Sequence, residues 1–339
     1  MKLLTFLDQN KNAHLGILVN NKIYNLSAEQ AKLPNNMLEF LNQGEAAMDL
    51  AREVELAISE GKTNQSGLIY SDDILLAPIP NPTSCRDGYA FRQHVAAARR
   101  NRNVPMIPQF DEYPIMYFTN HNAIQGPGEI LCMPDHFQKL DFELEASVVL
   151  GKKGRNIKAE NADQYIAGYM IMNDMSARAL QMEEMVLNLG PAKGKDFSTV
   201  IGPYMVTPDE LETYKTSAKS NHTGNNYSLD MKCRVNGIEV SSGNMGDMDW
   251  TFAEIIERCA YGVDVYPGDV IGSGTVGTGC FLELNGTGLF HDKNYTPQWL
   301  KDGDVVEMEI TGLGLLKNTI KAVESDFSIF ERKKKVESA

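Results

Sequence analysis

Three prolines within five residues, Pro78, Pro80 and Pro82, divide this chain. A proline removes a backbone donor and fixes φ, so a run of them fits neither a helix interior nor a central strand. The stretch Ala77-Pro78-Ile79-Pro80-Asn81-Pro82 therefore reads as a linker between residues 1–78 and residues 79–339. The chain's 339 residues agree, since that length corresponds to about two domains.

The two parts differ in pattern. Before the prolines, residues 3–7 and 14–25 alternate like strands, with a polar turn at Asp8 to Asn12 and a hairpin turn at Asn20-Asn21-Lys22. Residues 35–61 carry apolar positions at helical spacing, with Gly61 placed to end the helix. Beyond Pro82, β-branched segments follow Gly-Asp turns, as in Pro267-Gly268-Asp269-Val270-Ile271 and Asp302-Gly303-Asp304-Val305-Val306. Helices are expected only near 89–101, 177–187 and 252–260. The polar, Asn-rich stretch 209–229 reads as a surface excursion, 95–112 as a candidate mobile lid, and 331–339 as a charged, frayed tail. The expected class is α+β, mainly β.

Charge and cysteine usage narrow the functions. With 32 basic and 45 acidic side chains the net charge is −13, which argues against nucleic acid and against an anionic membrane surface. No apolar run is long enough for a transmembrane helix, and the N-terminus meets Asp8 before any signal-like stretch develops. Cys85, Cys132, Cys233, Cys259 and Cys280 are scattered, odd in number and never in a C-x-x-C pair, so neither a zinc ribbon nor a disulfide scaffold is expected. A reducing cytoplasm is the expected location.

Two glycine motifs fail on context. Gly272-Ser273-Gly274-Thr275-Val276-Gly277 fits G-x-G-x-x-G, but Cys280-Phe281-Leu282-Glu283-Leu284 after it reads as a strand rather than the helix a dinucleotide site needs. Gly190 to Lys195 has its glycines one residue too close for a phosphate-binding loop, and Asp196 stands where Ser or Thr should be.

Three other stretches carry chemistry. In Asp141-Phe142-Glu143-Leu144-Glu145, ahead of an apolar strand, Glu143 and Glu145 fall on one face. They suit either a cation or a solvated, salt-bridged edge. In Gly168 to Gln181 an apolar strand ends at Asn173-Asp174 and a helix starts at Ser176, so that Arg178 and Gln181 share a helix face. Asp174 is a third carboxylate or a local cap. From residue 88 to 110 there are four arginines (Arg92, Arg99, Arg100, Arg102) and no acid, which in so acidic a chain points to an anionic ligand or to a solvated basic helix face. His94, Lys195 and Glu283 taken singly read as structural or surface residues.

In order, these pieces resemble the fumarylacetoacetate hydrolase family. The matching stretches are Asp87 to His94, Asp141 to Gly151, Gly168 to Gln181, Gly194 to Pro203, Pro267 to Gly279 and Gly303 to Leu316, about two thirds of the chain. The resemblance implies a mixed β-roll catalytic core over 79–339, a smaller β-rich N-terminal domain over 1–78, and a homodimer. It implies that Asp87, Glu143, Glu145 and Asp174 bind Mg2+ or Ca2+, with Mn2+ possible, since hard oxygen ligands disfavour zinc. His94 and Glu283 fall at the family's catalytic dyad, Lys195, Arg178 and Gln181 at its other catalytic positions, and Tyr89, Arg102, Tyr117, Thr199 and Thr275 at substrate-binding ones. The implied activity is hydrolysis of a carbon–carbon bond in a small anionic 2,4-dioxo acid, such as fumarylacetoacetate or an acylpyruvate, in aromatic amino acid catabolism. The alternatives are a 2-oxoacid decarboxylase, isomerase or dehydratase on the same scaffold, and a metal-stabilised protein without turnover. Two positions depart from the family's patterns. Thr119-Asn120 stands where many small members have Lys-Pro, and Asn103, beside Arg102, stands where an arginine follows the histidine by nine residues.

Overall fold

The computed structural model describes residues 1–334. Part of the charged tail expected at 331–339 thus lies outside the described residues.

The architecture is the α+β, mainly β one expected, organised on two sheets. The larger, eleven-stranded sheet runs in the order Leu68–Ile69, Lys22–Asn25, Ala13–Val19, Lys2–Leu7, Thr199–Val206, Ile166–Asp174, Leu144–Leu150, Asp269–Gly272, Ser84–Gly88, Met116–Thr119, with Ile124–Gln125 alongside Thr199–Val206. Lys2 pairs with Val206 and Leu3 with Met205, so the N-terminal hairpin extends the sheet of the longer part of the chain. The second sheet has the order Ile238–Asn244, Asp230–Val235, Val305–Ile310, Gly314–Ala322, Gly128–Cys132. No helix among the described residues is long and apolar enough to cross a membrane.

The central strands Leu144–Leu150, Ile166–Asp174 and Thr199–Val206 are buried along their whole length. Their alternation explains this. Val148, Ile171 and Val200 face the second sheet, packing with Met231, Met308 and Leu316. Val149, Met170, Met172, Met205 and Val270 face the other way, against Phe40, Leu41, Met48 and Ala51 of the N-terminal helices. A strand covered on both faces reads as a near-continuous apolar run.

Most local expectations hold. Asn20 and Asn21 take positive φ in the hairpin turn, and Gly268 and Gly303 do so just before the strands that follow them. Helices occur at Arg92–Arg100, Arg178–Val186 and Phe252–Ala260. The helix expected over 35–61 is two, Met37–Asn42 and Glu45–Ser59, because Gly44 between them sits at φ +64. Gly61 does end the second, with Gly61 N–H donating to Ile58 and Lys62 N–H to Ala57. The excursion 209–229 is anchored: Leu211, Tyr227 and Leu229 are buried, and Tyr227 stacks edge-on against Tyr169. Ser176 does not cap the next helix, since its hydroxyl donates back to the Asp174 carbonyl.

An expected strand is also overturned. Residues 280–284 are not a strand, because Phe281–His291 is a helix. The short apolar run fits either period, and tertiary contacts decide it. The Phe281 and Leu282 amides donate to Asp141 at 2.8 and 2.9 Å, and Cys280 Sγ accepts from Glu283 N. A helix therefore does follow the G-x-G-x-x-G loop, but its first-turn donors are already taken by the Asp141 carboxylate rather than free for a pyrophosphate.

Candidate active site

Four strand ends meet at one edge of the large sheet. Leu144 pairs with Asn173, Ser147 with Gly272, and Gly272 with Asp87. The start of Leu144–Leu150 therefore lies beside the ends of Ile166–Asp174, Asp269–Gly272 and Ser84–Gly88. Period-two alternation then sends Glu145, Asp174 and Asp87 to one face, the face that Val149, Met172 and Cys85 share further along. Glu143 joins them from just before its strand, with its amide tied to Asn173 Oδ1 at 3.0 Å. One carboxylate oxygen from each of Asp87, Glu143, Glu145 and Asp174 lies within 4.8 Å of the others, and all four residues are buried.

Gly272 makes room for this. A Cβ there would sit 3.0 Å from Glu145 Oε2 and closer still to Asp87 Oδ1. Gly194 does the same next door, where a Cβ would lie 2.6 Å from the Gln181 backbone.

Two cations reach the cluster. Lys195 Nζ pairs with Asp174 Oδ2 at 2.7 Å and with Glu143. Arg178 pairs with Glu143 Oε1 at 2.7 Å and Asp141 Oδ2 at 2.8 Å, and its Nη1 donates to Gln181 Oε1 at 2.9 Å. The Tyr117 hydroxyl donates to Asp174, Thr275 Oγ1 to Glu145 Oε1 at 3.4 Å, and Gly274 N–H to Asp87 Oδ1 at 3.1 Å.

The electrostatics follow from burial. Burial first, then the neighbouring Asp174 charge, pushes the Asp87 carboxyl from 3.8 up to about 7. Burial and Asp87 push Glu145 well above the ordinary carboxylate range, and burial raises Asp174 against the pull of Lys195. Burial would raise Glu143 too, but Lys195 and Arg178 together hold it below that range.

A divalent cation fits this donor set. Asp87, Asp141, Glu143, Glu145 and Asp174 bring five buried carboxylates against the two cations Lys195 and Arg178. Three negative charges stay uncompensated when all are ionised, and two buried oxygens, Glu145 Oε2 and Asp174 Oδ1, have no hydrogen-bond partner. Buried charge of this kind needs pairing or a metal. An all-oxygen set is the hard-cation type that Mg2+, Ca2+ and Mn2+ prefer.

His94, on the first turn of Arg92–Arg100, stands beside the cluster. Its Nδ1 bonds Glu283 Oε2 at 2.6 Å, and both residues are buried. Glu283 is held from its other oxygen by Thr278 N–H at 3.0 Å. Tyr89 lies edge-on to the imidazole at 5.9 Å. A histidine oriented at one nitrogen by a carboxylate keeps the other for proton transfer.

Of the remaining expected residues, Thr199 Oγ1 lies 3.4 Å from Thr119 Oγ1 in the wall beside Asp174. Arg102 is exposed past the end of its helix and touches none of the carboxylates. Its Nε donates to the Ala98 carbonyl at 3.1 Å. Among its neighbours, Arg92 pairs with Asp111, Arg99 donates to the Pro105 carbonyl, and Arg100 donates to Thr287 at 2.8 Å.

Sequence reasoning missed two residues. Asp141 joins Arg178 to the helix at Phe281 while fully buried. Its clue was present, since Asp141, Glu143 and Glu145 are spaced by twos. Cys280 lies within 4.8 Å of His94 and Glu143, counted between ligand atoms. Burial and then Asp141 push its thiol up. Nothing in its sequence context marks it.

Known proteins resemble this chain over most of its length. The family model described as fumarylacetoacetate (FAA) hydrolase C-terminal matches residues 83–321. The chain is 32% identical over 311 residues to human "Oxaloacetate tautomerase FAHD2A, mitochondrial", covering 91% of this chain and 87% of that protein. It is 30% identical over 326 residues to the Dictyostelium discoideum "Fumarylacetoacetate hydrolase domain-containing protein 2 homolog", covering 95% and 97%. Among solved structures, a fumarylacetoacetate hydrolase from Exiguobacterium antarcticum superposes with a TM-score of 0.68 at 24% identity, covering 95% of this chain and all of that one. A putative HpcE protein from Mycobacterium smegmatis gives 0.69 at 21%, covering 96% and 100%. At such identities these two speak for the fold alone.

Proposed function

This chain belongs to the fumarylacetoacetate hydrolase family, and from that premise we propose a metal-dependent hydrolase that cleaves a carbon–carbon bond in a small 2,4-dioxo acid. Fumarylacetoacetate and the acylpyruvates are the substrates we put forward. The observation that carries the reading is the buried His94–Glu283 bond beside the four carboxylates.

Asp87, Glu143, Glu145 and Asp174 would hold Mg2+, Ca2+ or Mn2+, which when bound supplies Lewis-acid polarisation of the dioxo group. Glu283 fixes the His94 tautomer with the proton on Nδ1 and leaves Nε2 as the base. His94 takes a proton from water as the water oxygen bonds to the distal carbonyl carbon. The carbon–carbon bond then breaks, its electron pair passes to the departing carbon, and protonated His94 returns the proton to that carbon. Lys195, charged and buried, lies where it stabilises developing negative charge. Arg178 is fully engaged by Asp141, Glu143 and Gln181, so its part is to hold Glu143 and Gln181 in place. Arg102 and Tyr89 would meet the distal anionic group of the substrate, a role supported by the arginine-rich, acid-free stretch from residue 88 to 110.

A second reading is keto–enol tautomerisation of oxaloacetate, which the printed name of the human relative favours at 32% identity. There the same pair would carry a proton between carbon and oxygen, with no water added.

The deciding experiment is a magnesium-dependent ultraviolet assay with product identification. It offers fumarylacetoacetate, simple acylpyruvates and oxaloacetate side by side to the wild type and to His94→Ala. The proposal expects loss of the enol absorbance with two cleaved fragments, abolished by His94→Ala while metal affinity persists. Carbon dioxide from oxaloacetate, or its keto–enol interconversion without fragments, with the diketones untouched, would overturn it. Equal turnover by His94→Ala would remove the dyad from the mechanism.

A further inference from the structure

The hydrolytic reading leaves Cys280 without a task, yet Cys280 is the one thiol that meets other metal-ligating side chains among the described residues. Its Sγ, a His94 ring nitrogen and a Glu143 carboxylate oxygen all lie within 4.8 Å of one another, and all three residues are buried. The other four cysteines are also buried and free, but none belongs to such a cluster among the described residues.

We propose that His94, Glu143 and Cys280 form a second, softer metal site for a zinc-type cation, adjoining the all-oxygen site and switching the enzyme off when filled. The donor chemistry separates the two sites. Carboxylates alone suit magnesium, calcium and manganese, whereas a thiolate with an imidazole selects zinc and its softer congeners. Three protein ligands with a fourth position left to water is the usual open zinc arrangement. No sequence spacing announced it, because the ligands come from positions 94, 143 and 280, on a helix, a strand approach and a helix cap.

The local structure holds each ligand in place without the ion. Cys280 is fixed as the cap of Phe281–His291 by the Glu283 amide, 3.5 Å from Sγ. Glu143 is oriented by Arg178 and by its own amide bond to Asn173. His94 is oriented by Glu283. Binding sends the thiol proton to solvent while the sulfur pair bonds to the cation. Whichever ring nitrogen takes the ion, the pair is disabled. At Nε2 the ion occupies the lone pair that would receive the proton from water, and at Nδ1 it replaces the bond to Glu283. The binding stands on geometry alone, while the inhibition rests on the proposed role of His94.

Cadmium tests binding directly, because a thiolate bonded to Cd2+ gives an ultraviolet charge-transfer band that carboxylate-bound Cd2+ lacks. The full chain is titrated with Cd2+ under excess Mg2+, which keeps the all-oxygen site filled. One equivalent of the band is expected. It should vanish in Cys280→Ser, which keeps an oxygen cap on the helix, and need on the order of 100-fold more Cd2+ in His94→Ala. In parallel, zinc should inhibit magnesium-supported turnover, and Cys280→Ser, measured against its own magnesium rate, should resist it by a similar factor. No band, or a band that survives Cys280→Ser, overturns the site. A band lost in Cys280→Ser with zinc-insensitive wild-type turnover supports the site and refutes the part given to His94 in catalysis.

Discussion

Replacing Asp87 by Asn should stabilise the metal-free protein above neutral pH and abolish its response to magnesium. Asp87 is 3% exposed, and burial followed by the Asp174 charge lifts its carboxyl from 3.8 to about 7. The folded protein thus binds this proton more tightly than the unfolded chain does. Its stability falls as pH rises through the window from about 4 to about 7, and the loss is complete above it. That gap corresponds to at most about 4 kcal/mol. With roughly 2.1 cal/mol/K per residue, 339 residues give about 0.7 kcal/mol per kelvin, so the penalty amounts to about 6 °C in Tm. Asn keeps the shape, leaves Oδ1 free to accept from Gly274 N–H, and carries no charge. Thermal melts near pH 5.5 and near pH 8, in chelator and in magnesium, check the reasoning. In chelator the wild type should lose several degrees between the two pH values and the variant should not. Magnesium at about 100 times its Kd should return about 2.7 kcal/mol to the wild type at the higher pH and nothing to the variant. A variant that melts below the wild type in chelator near pH 8, or that gains equally from magnesium, would refute the metal-free electrostatics and the ligand assignment together.

Glu283→Gln should lower kcat by about 100- to 10,000-fold with little change in KM and an unchanged melting curve, because the orienting charge beside His94 is lost while Thr278 N–H keeps an acceptor; steady-state kinetics beside a thermal melt check it. Lys195→Met should destabilise the metal-free protein by about 3–5 kcal/mol, since Glu143 and Asp174 lose a buried counter-ion; urea midpoints with and without magnesium should show the metal recovering much of that loss.

Legibility from sequence followed the range of the interactions. The carboxylate face was readable in part: a strand repeats every two residues, which fixes the face of Glu145, whereas Glu143 lies just before the strand and is placed by its amide bond to Asn173. Gly268 and Gly303 were readable as turns because the residue supplies the backbone geometry itself. The break at Gly44 was harder, since helical spacing continues on both sides of it. The helix Phe281–His291 was not readable at all. It contains Asn285, Gly286 and Gly288, all poor helix formers, and its start is set by Asp141, 140 residues earlier. The function of Asp141 was hidden for the same reason, as was the pairing of Lys2–Leu7 with Thr199–Val206 across the proline boundary.

Hydrolysis and tautomerisation ask nearly the same things of this site. Both need a 2-oxo acid held by its oxygens, a base with its free nitrogen toward the substrate, and a cation to receive the charge that develops on oxygen. Under the proposed reading Asp87, Glu143, Glu145 and Asp174 would serve the first need by holding a metal, His94 with Glu283 the second, and Lys195 the third. What separates the two reactions is the volume between His94 and the reacting carbon, because hydrolysis must admit a water there and tautomerisation must bring the carbon's own proton within reach. Tyr89 lies edge-on to the imidazole at 5.9 Å and Cys280 Sγ within 4.8 Å of a ring nitrogen, so uncharged side chains border His94 as well as carboxylates.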